Sequence, residues 1–299
     1  MRLFFVLILA SALQPSPVDA QPPNPNNVFG KYEQAFWQER DGLPQNSVLS
    51  IEMTRDGYIW IGTYEGAARF DGARFSLFKS SDTVGIGNSL IYDLLETRDG
   101  TLWLATYGGG ISKYADGRFT QYTKREGLSS DFTSTLFEDR AGILWIGTDG
   151  GGVSSFHDGR FTSYTTKDGL PSDQVRGFAD DGEGGLLAAT SAGIGRISKG
   201  RVIRYEGSVE IATADLHTMA RTRDGALWVS RRPSGLFRTT AQGTIRFGQD
   251  EGLTASFIET IFEDRDGDVW LGSSAGLFRY AAGRFERYGS EGGLPAERV

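Results

Sequence analysis

Apolar and polar residues alternate along this chain in short runs, each cut off by a turn dipeptide, and the pattern restarts many times. Residues 46–78 show it once. Run 47–53 carries apolar Val48 and Ile51, Asp56-Gly57 makes a hairpin turn, and run 59–63 is centred on Trp60. Glu65-Gly66 makes the next turn, 67–70 is a third run, Asp71-Gly72 turns again, and 74–78 is a fourth. Short runs with period-two alternation, bounded by Asp-Gly and Glu-Gly, predict antiparallel strands joined by tight hairpins. Four such strands in about 33 residues make one β-propeller blade. The same reading fits 89–122, 132–164, 174–205, 215–247 and 257–288. Most third turns are Asp-Gly or Ala-Gly, as at Asp116-Gly117, Asp158-Gly159 and Ala282-Gly283. A type I′ hairpin turn needs positive φ at both central residues, which glycine supplies at no steric cost.

The second run of each unit fixes the repeat. Trp60, Trp103, Trp145, Trp228 and Trp270 sit in DGYIWIGT, DGTLWLAT, AGILWIGT, DGALWVS and DGDVWLGS, at spacings of 43, 42, 83 and 42. GGLLAAT fills the doubled gap, with Leu187 in the tryptophan's place. A period near 42 marks a solenoid or propeller rather than an ordinary globular domain. An indole near the middle of each sheet, clamped between neighbouring blades, buries roughly 150–250 Å², worth on the order of 4–6 kcal/mol gross. The joint at Leu187 is expected to be the loosest.

The ends extend the pattern. Residues 36–44 match the close of a repeat, as in 161–171, so 33–40 is expected to be an orphan fourth strand, and 289–299 match the start of a seventh unit. The expected fold is therefore all-β, with a propeller over 33–299. It has six complete blades, a closing strand and a partial seventh blade, a seven-blade design cut short.

Composition narrows the function. Hydrophobic residues make up 39% of the chain and aromatic ones 12%, ample for a core, and 41 glycines against nine prolines suit many hairpins. With 31 basic and 38 acidic side chains, net charge −7, no basic stripe is available to neutralise a phosphate backbone, which argues against a nucleic-acid partner. There is no cysteine, and His157 and His217 are the whole supply of imidazole, which argues against a zinc site. The run Glu263-Asp264-Arg265-Asp266-Gly267-Asp268 fails as an EF-hand, because counting from Asp264 puts Val269 sixth and Ala275 twelfth. No cofactor or metal is implied. Arg2, an apolar run over 3–10 and Val18-Asp19-Ala20 read as a secretory signal over 1–20, followed by an exposed lead-in over 21–32. An extracytoplasmic location is expected.

DGLPQNSVLSI, TRDGYIWIGTYEGAARFDGARF and EDRAGILWIGTDGGGVSSFHDGRFTSY resemble the two-component regulator propeller repeat, and the resemblance covers 33–299. That family is found in periplasmic sensor regions of bacterial hybrid histidine kinases and some diguanylate cyclases. The resemblance implies a sensor without catalysis of its own. It also implies partners in a downstream β-sandwich and signalling domains, an inner-membrane full-length receptor, and a homodimer of such receptors. Blade 4 departs by losing its tryptophan. Blade 5 departs with Arg231-Arg232-Pro233 where Gly-Thr and a turn residue are usual.

Because strands alternate in direction, the loops entering first strands and the turns between second and third strands share one face of the disc, around the central channel. The turns offer Tyr64, Glu65, Tyr107, Asp149, Ser191, Arg231, Arg232 and Ser274, and the loops add Gln45, Asn46, Asp131 and Asp173. Packing demands are equal in every blade, so repeat positions that vary while their neighbours stay constant mark a binding surface. A small ligand, carbohydrate by family analogy and by the tyrosines, is the expected occupant. Each residue also has a plainer reading: a tyrosine beside a turn covers the next blade, Arg231-Arg232 makes a solvated turn, His217 packs and His157 is exposed. An enzyme acting on polysaccharide, lyase or glycosidase, and a protein-interaction disc are the alternatives.

Overall fold

The computed structural model describes residues 5–9 and 33–289. Six four-stranded antiparallel sheets each come from one continuous stretch of chain. They run from β3 (Val48–Met53) to β6 (Phe75–Phe78), β7 (Ile91–Glu96) to β10 (Arg118–Tyr122), and β11 (Thr133–Glu138) to β14 (Arg160–Tyr164). The rest run from β15 (Val175–Asp180) to β18 (Arg201–Ile203), β19 (Leu216–Arg221) to β22 (Gly243–Phe247), and β23 (Ile258–Glu263) to β26 (Arg284–Tyr288). Within each sheet the strands pair in chain order. First strands of successive sheets pack on one another, β3 on β7 through to β19 on β23, so they are innermost and the sheets fan out as blades of a β-propeller. The turns that demanded positive φ have it, Asp116 and Gly117 at 51° and 75°, Asp158 and Gly159 at 49° and 74°.

The core lies between blades. Trp60, 1% exposed, packs on Leu102 and Leu104 of the next blade, with its ring 5.0 Å from Tyr114. Trp228, also 1% exposed, stacks on Phe247 at 5.3 Å and meets Tyr280 of the next blade edge-on at 5.1 Å. Trp103 meets Phe156 at 5.4 Å, and Trp145 joins Val175 and Leu186. Trp270 is only half-buried, against Tyr288 of its own blade.

The joint at Leu187 is filled rather than loose. Leu187 is 1% exposed, and the missing indole volume is taken by Phe237 and by Ile211 from a short helix, α1 (Val209–Ala212), inserted between β18 and β19. Ile211→Ala should therefore lower unfolding free energy by about 2–3 kcal/mol in urea titrations, the usual cost of truncating a buried isoleucine. A change within about 0.5 kcal/mol, typical of surface sites, would mean the helix is not a structural plug.

The hairpins between first and second strands latch each blade to its successor. Arg55 donates to the carbonyl of Arg98 at 2.5 Å, Arg98 to that of Arg140 at 2.9 Å, and Arg223 to that of Arg265 at 3.1 Å. The backbone N–H groups of the same three arginines donate to Glu96, Glu138 and Glu263, the last residues of the next first strands. Arg140 reaches Asp180 at 3.1 Å. Between blades 4 and 5 the link reverses, and Arg221 donates back to the carbonyl of Asp180 at 2.6 Å.

Ahead of the blades, β1 (Phe5–Leu9), within the stretch expected as a secretory signal, pairs antiparallel with β2 (Glu33–Trp37), within the expected closing strand. Trp37 meets Phe70 at 5.0 Å and Phe75 at 6.3 Å on the outer strands of the first blade. The remainder of the signal, the lead-in and the partial seventh blade beyond Gly289 lie outside the described residues.

Candidate functional site

Backbone hydrogen bonds bring the expected loops and turns onto one face. Asp149 donates its N–H to Phe132, Ser191 to Gln174, Arg232 to Asp215, and Ser274 to Phe257, each tying a second-to-third turn to the loop that enters the first strand of its blade. Gly108 and Gly110 donate to the carbonyl of Asp131 in the next blade, as Gly150 and Gly152 do to Asp173. In every first strand the register slips between the first and third residues. A bulge re-aims the skipped side chain. The skipped residues are Leu49, Tyr92, Ser134, Arg176, His217 and Glu259, on the innermost strands beside these turns.

Over blades 1 to 3 this face is aromatic. Tyr64, Tyr92 and Phe132 are 49%, 36% and 47% exposed. Tyr107 joins them, with its ring 5.2 Å from Tyr92 and 5.0 Å from Phe132, and its hydroxyl donates to Asp149 Oδ2 at 2.8 Å. That hydrogen bond, with burial and the charge of Asp149, raises the Tyr107 phenol above its ordinary pKa of 10.0, and burial, then the neighbouring Tyr64 and Asp149, raises Tyr92. Both phenols are neutral hydrogen-bonding tips on apolar rings, suited to groups that are part apolar and part hydroxylated.

Over blades 4 to 6 the face is ionic. Arg176 pairs with Asp215 and donates to the carbonyl of Leu216 at 3.0 Å. The Arg232 guanidinium lies 5.0 Å from the Phe257 ring, which His217 contacts from 4.7 Å. His217 Nε2 is 3.3 Å from Glu259 Oε2, and its buried Nδ1 has no hydrogen-bond partner among the described residues. Arg231 stands where other blades have a buried threonine or, in blade 6, Ser273 closing the turn, as Thr63 does on the carbonyl of Gly66 at 2.8 Å. Ser230, not Arg231, therefore takes the glycine's place, and the departure in blade 5 is shifted one residue from its reading in the sequence.

Other expected residues are committed to local structure. Asn46, Asp131 and Asp173 each accept a backbone N–H at the start of a single 3-10 turn, from Glu39 at 2.8 Å, Lys124 at 2.8 Å and Thr166 at 2.7 Å. Gln45 accepts from Ser47 N, Glu65 faces Lys79 at 3.9 Å, and Ser191 shares a hydrogen bond with Ser172 at 2.7 Å. The bulge residues are not among those the sequence singles out, and there His217 is expected to pack. Their signal is present in the sequence, since six different residue types occupy one repeat position that follows an aliphatic residue in five of the six units.

The two component regulator propeller family model matches residues 42–65, 85–108, 127–150 and 252–275. Over 77 residues the chain is 34% identical to histidine kinase P4 of Formosa agariphila, a stretch that is 26% of this chain and 5% of the kinase. Its fold matches the extracellular domain of a protein assigned as a hybrid two component system in B. thetaiotaomicron, at TM-score 0.72 and 23% identity. That match covers 84% of this chain and 35% of the other, so the chain spans about a third of that relative. It also matches a catalytically inactive histidine-to-alanine form of virginiamycin B lyase from Staphylococcus aureus, at TM-score 0.67 and 16% identity over 95% of this chain and 88% of that one. No helix among the described residues is long and apolar enough to cross a membrane. Repeated sequence and blade geometry agree that this chain is a β-propeller, and four of its stretches match the two component regulator propeller repeat.

Proposed function

We propose that the chain is the extracytoplasmic, ligand-sensing propeller of a bacterial signalling receptor, either a hybrid histidine kinase or a diguanylate cyclase, and does no chemistry itself. The match of four repeats to the regulator propeller model carries this reading. The exposed Tyr64, Tyr92 and Phe132, with the half-buried Tyr107 among them, supply the contact surface beside the innermost strands, and a saccharide suits it, apolar on its ring faces and hydroxylated at its edges. A ligand bridging several blades, or bridging the disc to a downstream β-sandwich, would favour one arrangement of a receptor dimer and pass the signal as a population shift.

A thermal-shift screen of the purified chain with a saccharide panel tests this. A ligand at about 100 times its Kd adds about 2.7 kcal/mol, a rise of several degrees. Tyr107→Ala should remove that rise while the unliganded protein stays folded. If no saccharide moves the midpoint and the chain instead captures a protein partner, the disc is an interaction module.

One observation favours a second reading. His217, paired with Glu259 close to Arg231 and Arg232, is the constellation from which a lyase acting on polysaccharide is built, a base, its orienting carboxylate and cations for an acidic substrate. Turnover of a glycan, lost in His217→Ala, would establish that reading in place of sensing.

A further inference from the structure

Two carboxylates stand in the joint between blades 1 and 2 at repeat positions that are uncharged in the other described blades. Glu52 lies opposite Trp60, the place taken by Leu95, Phe137, Ala179, Ala220 and Phe262 later in the chain. The first four of those pack into the joint with the following blade. Asp93 stands where the other first strands have Ser50, Thr135, Gly177, Thr218 and Thr260. Glu52 accepts from Glu96 N at 3.0 Å, tying β3 to β7. Asp93 accepts from Ser50 Oγ at 3.1 Å and Leu136 N at 2.8 Å, tying β7 back to β3 and onward to β11.

Few charged groups face this pair. β4 (Ile59–Thr63) and β8 (Leu102–Thr106), which pack on these strands, carry none, and β11 brings Glu138, held by Arg98 at 3.6 Å. Glu96, on β7 itself, is held by the exposed Arg55 at 3.7 Å. Burial therefore raises the Glu52 carboxyl above its ordinary 4.5; the bond from Glu96 N opposes this, and the charges of Asp93 and Glu96 add to it. A protonated carboxyl still accepts the same hydrogen bonds, so proton uptake keeps the ties and removes the cost of buried like charges. These strands also carry the aromatic wall of the disc's face: Tyr92 is the bulged residue before Asp93, and Phe132 directly precedes β11. We propose that the joint of blades 1 and 2 is a proton-operated clasp, in which neutralising Glu52 and Asp93 tightens the first strands of blades 1 to 3 and steadies Tyr92 and Phe132. The clasp needs no ligand, so it stands whether the face binds a saccharide, a protein or neither.

Urea titrations of the chain and of Glu52→Gln, from about pH 8 down to pH 4.5, test the clasp. Glutamine keeps an acceptor for the Glu96 N–H but cannot ionise, so near pH 8 the variant should unfold with an equilibrium constant about fivefold below that of the wild type. A carboxyl whose pKa folding raises adds stability as pH falls through the folded pKa, so the wild type should catch up and the ratio approach one near pH 4.5. Hydrogen exchange, corrected for its intrinsic pH dependence, reads the wall itself. On acidification, protection of 91–96 and 132–138 should rise about threefold or more relative to 175–180, whose corresponding residues are Gly177 and Ala179, and the rise should be smaller in Glu52→Gln. A variant no more stable than wild type near pH 8, a ratio independent of pH, or equal changes in protection across the three segments overturns the proposal.

Discussion

Replacing Trp228 by alanine should cost the fold about 3–5 kcal/mol and lower its melting temperature by on the order of 10 °C. The indole is 1% exposed, stacks on Phe247 of its own blade and meets Tyr280 of the next, in a cluster with Leu236, Ile261 and Val269. Truncation removes contacts on both sides of a joint that cannot close without rotating a whole blade, so the cavity is expected to persist. Trp270 occupies the same repeat position in the sixth blade but is half-buried, so Trp270→Ala should cost less than half as much. Parallel denaturant titrations of the two variants check this. Equal losses would show that the indoles stabilise each blade internally and that clamping between blades contributes little.

Asp93→Ala should cost about 3–4 kcal/mol at neutral pH, and the deficit should widen on acidification. Asp93 occupies the position held by Ser50 and Thr135 in the adjoining first strands, and its carboxylate joins three blades. It accepts from Ser50 Oγ at 3.1 Å, Leu94 N at 2.9 Å and Leu136 N at 2.8 Å. Alanine leaves the Leu136 N–H short of this acceptor, at about 1–3 kcal/mol, and removes the charge-assisted bond from Ser50 Oγ, worth about 1.5–3 kcal/mol, while the Leu94 N–H keeps Ser50 Oγ at 3.0 Å. Burial raises the Asp93 pKa above its ordinary 3.8, and the bonds from Leu136, Ser50 and Leu94 only partly offset that. A carboxyl that holds its proton more tightly when folded makes wild-type stability rise as pH falls through the folded pKa toward the unfolded one. Alanine has no such gain, so the difference between the two proteins should grow toward pH 3.8. A difference that is constant or shrinks on acidification would mean that the fold favours the charged form.

The tryptophan phrases made the architecture legible because one buried indole per repeat is a packing requirement written at a fixed interval. The joint at Leu187 was not legible, because its filler, Ile211, lies in an inserted helix outside the repeating phrase and is recognisable only once the chain has folded back. At the face of the disc, Tyr107, Asp149 and Arg232 were readable from their place after the second strand. Asp131 and Asp173, expected as ligand contacts, each accept a backbone N–H at a 3-10 turn, a local role that looks the same in sequence as a binding one. Arg176, His217 and Glu259 escaped because strict alternation assigns a first-strand residue to one sheet face or the other, and a bulge breaks that alternation at this residue.

The turn arginines make the repeats unequal in time as well as in place. Arg98 finds its carbonyl acceptors only when residues 139 and 140 are already in their hairpin, and Arg55 and Arg223 depend in the same way on the unit that follows them. A polypeptide emerging from its N-terminus thus carries, when the first, second or fifth unit is its growing edge, a guanidinium that waits, hydrated, for the next unit to be made. At the fourth joint the order inverts: the acceptor on Asp180 is made first and the donor, Arg221, arrives with the newcomer, so this unit is the one that completes its predecessor's seam with its own side chain.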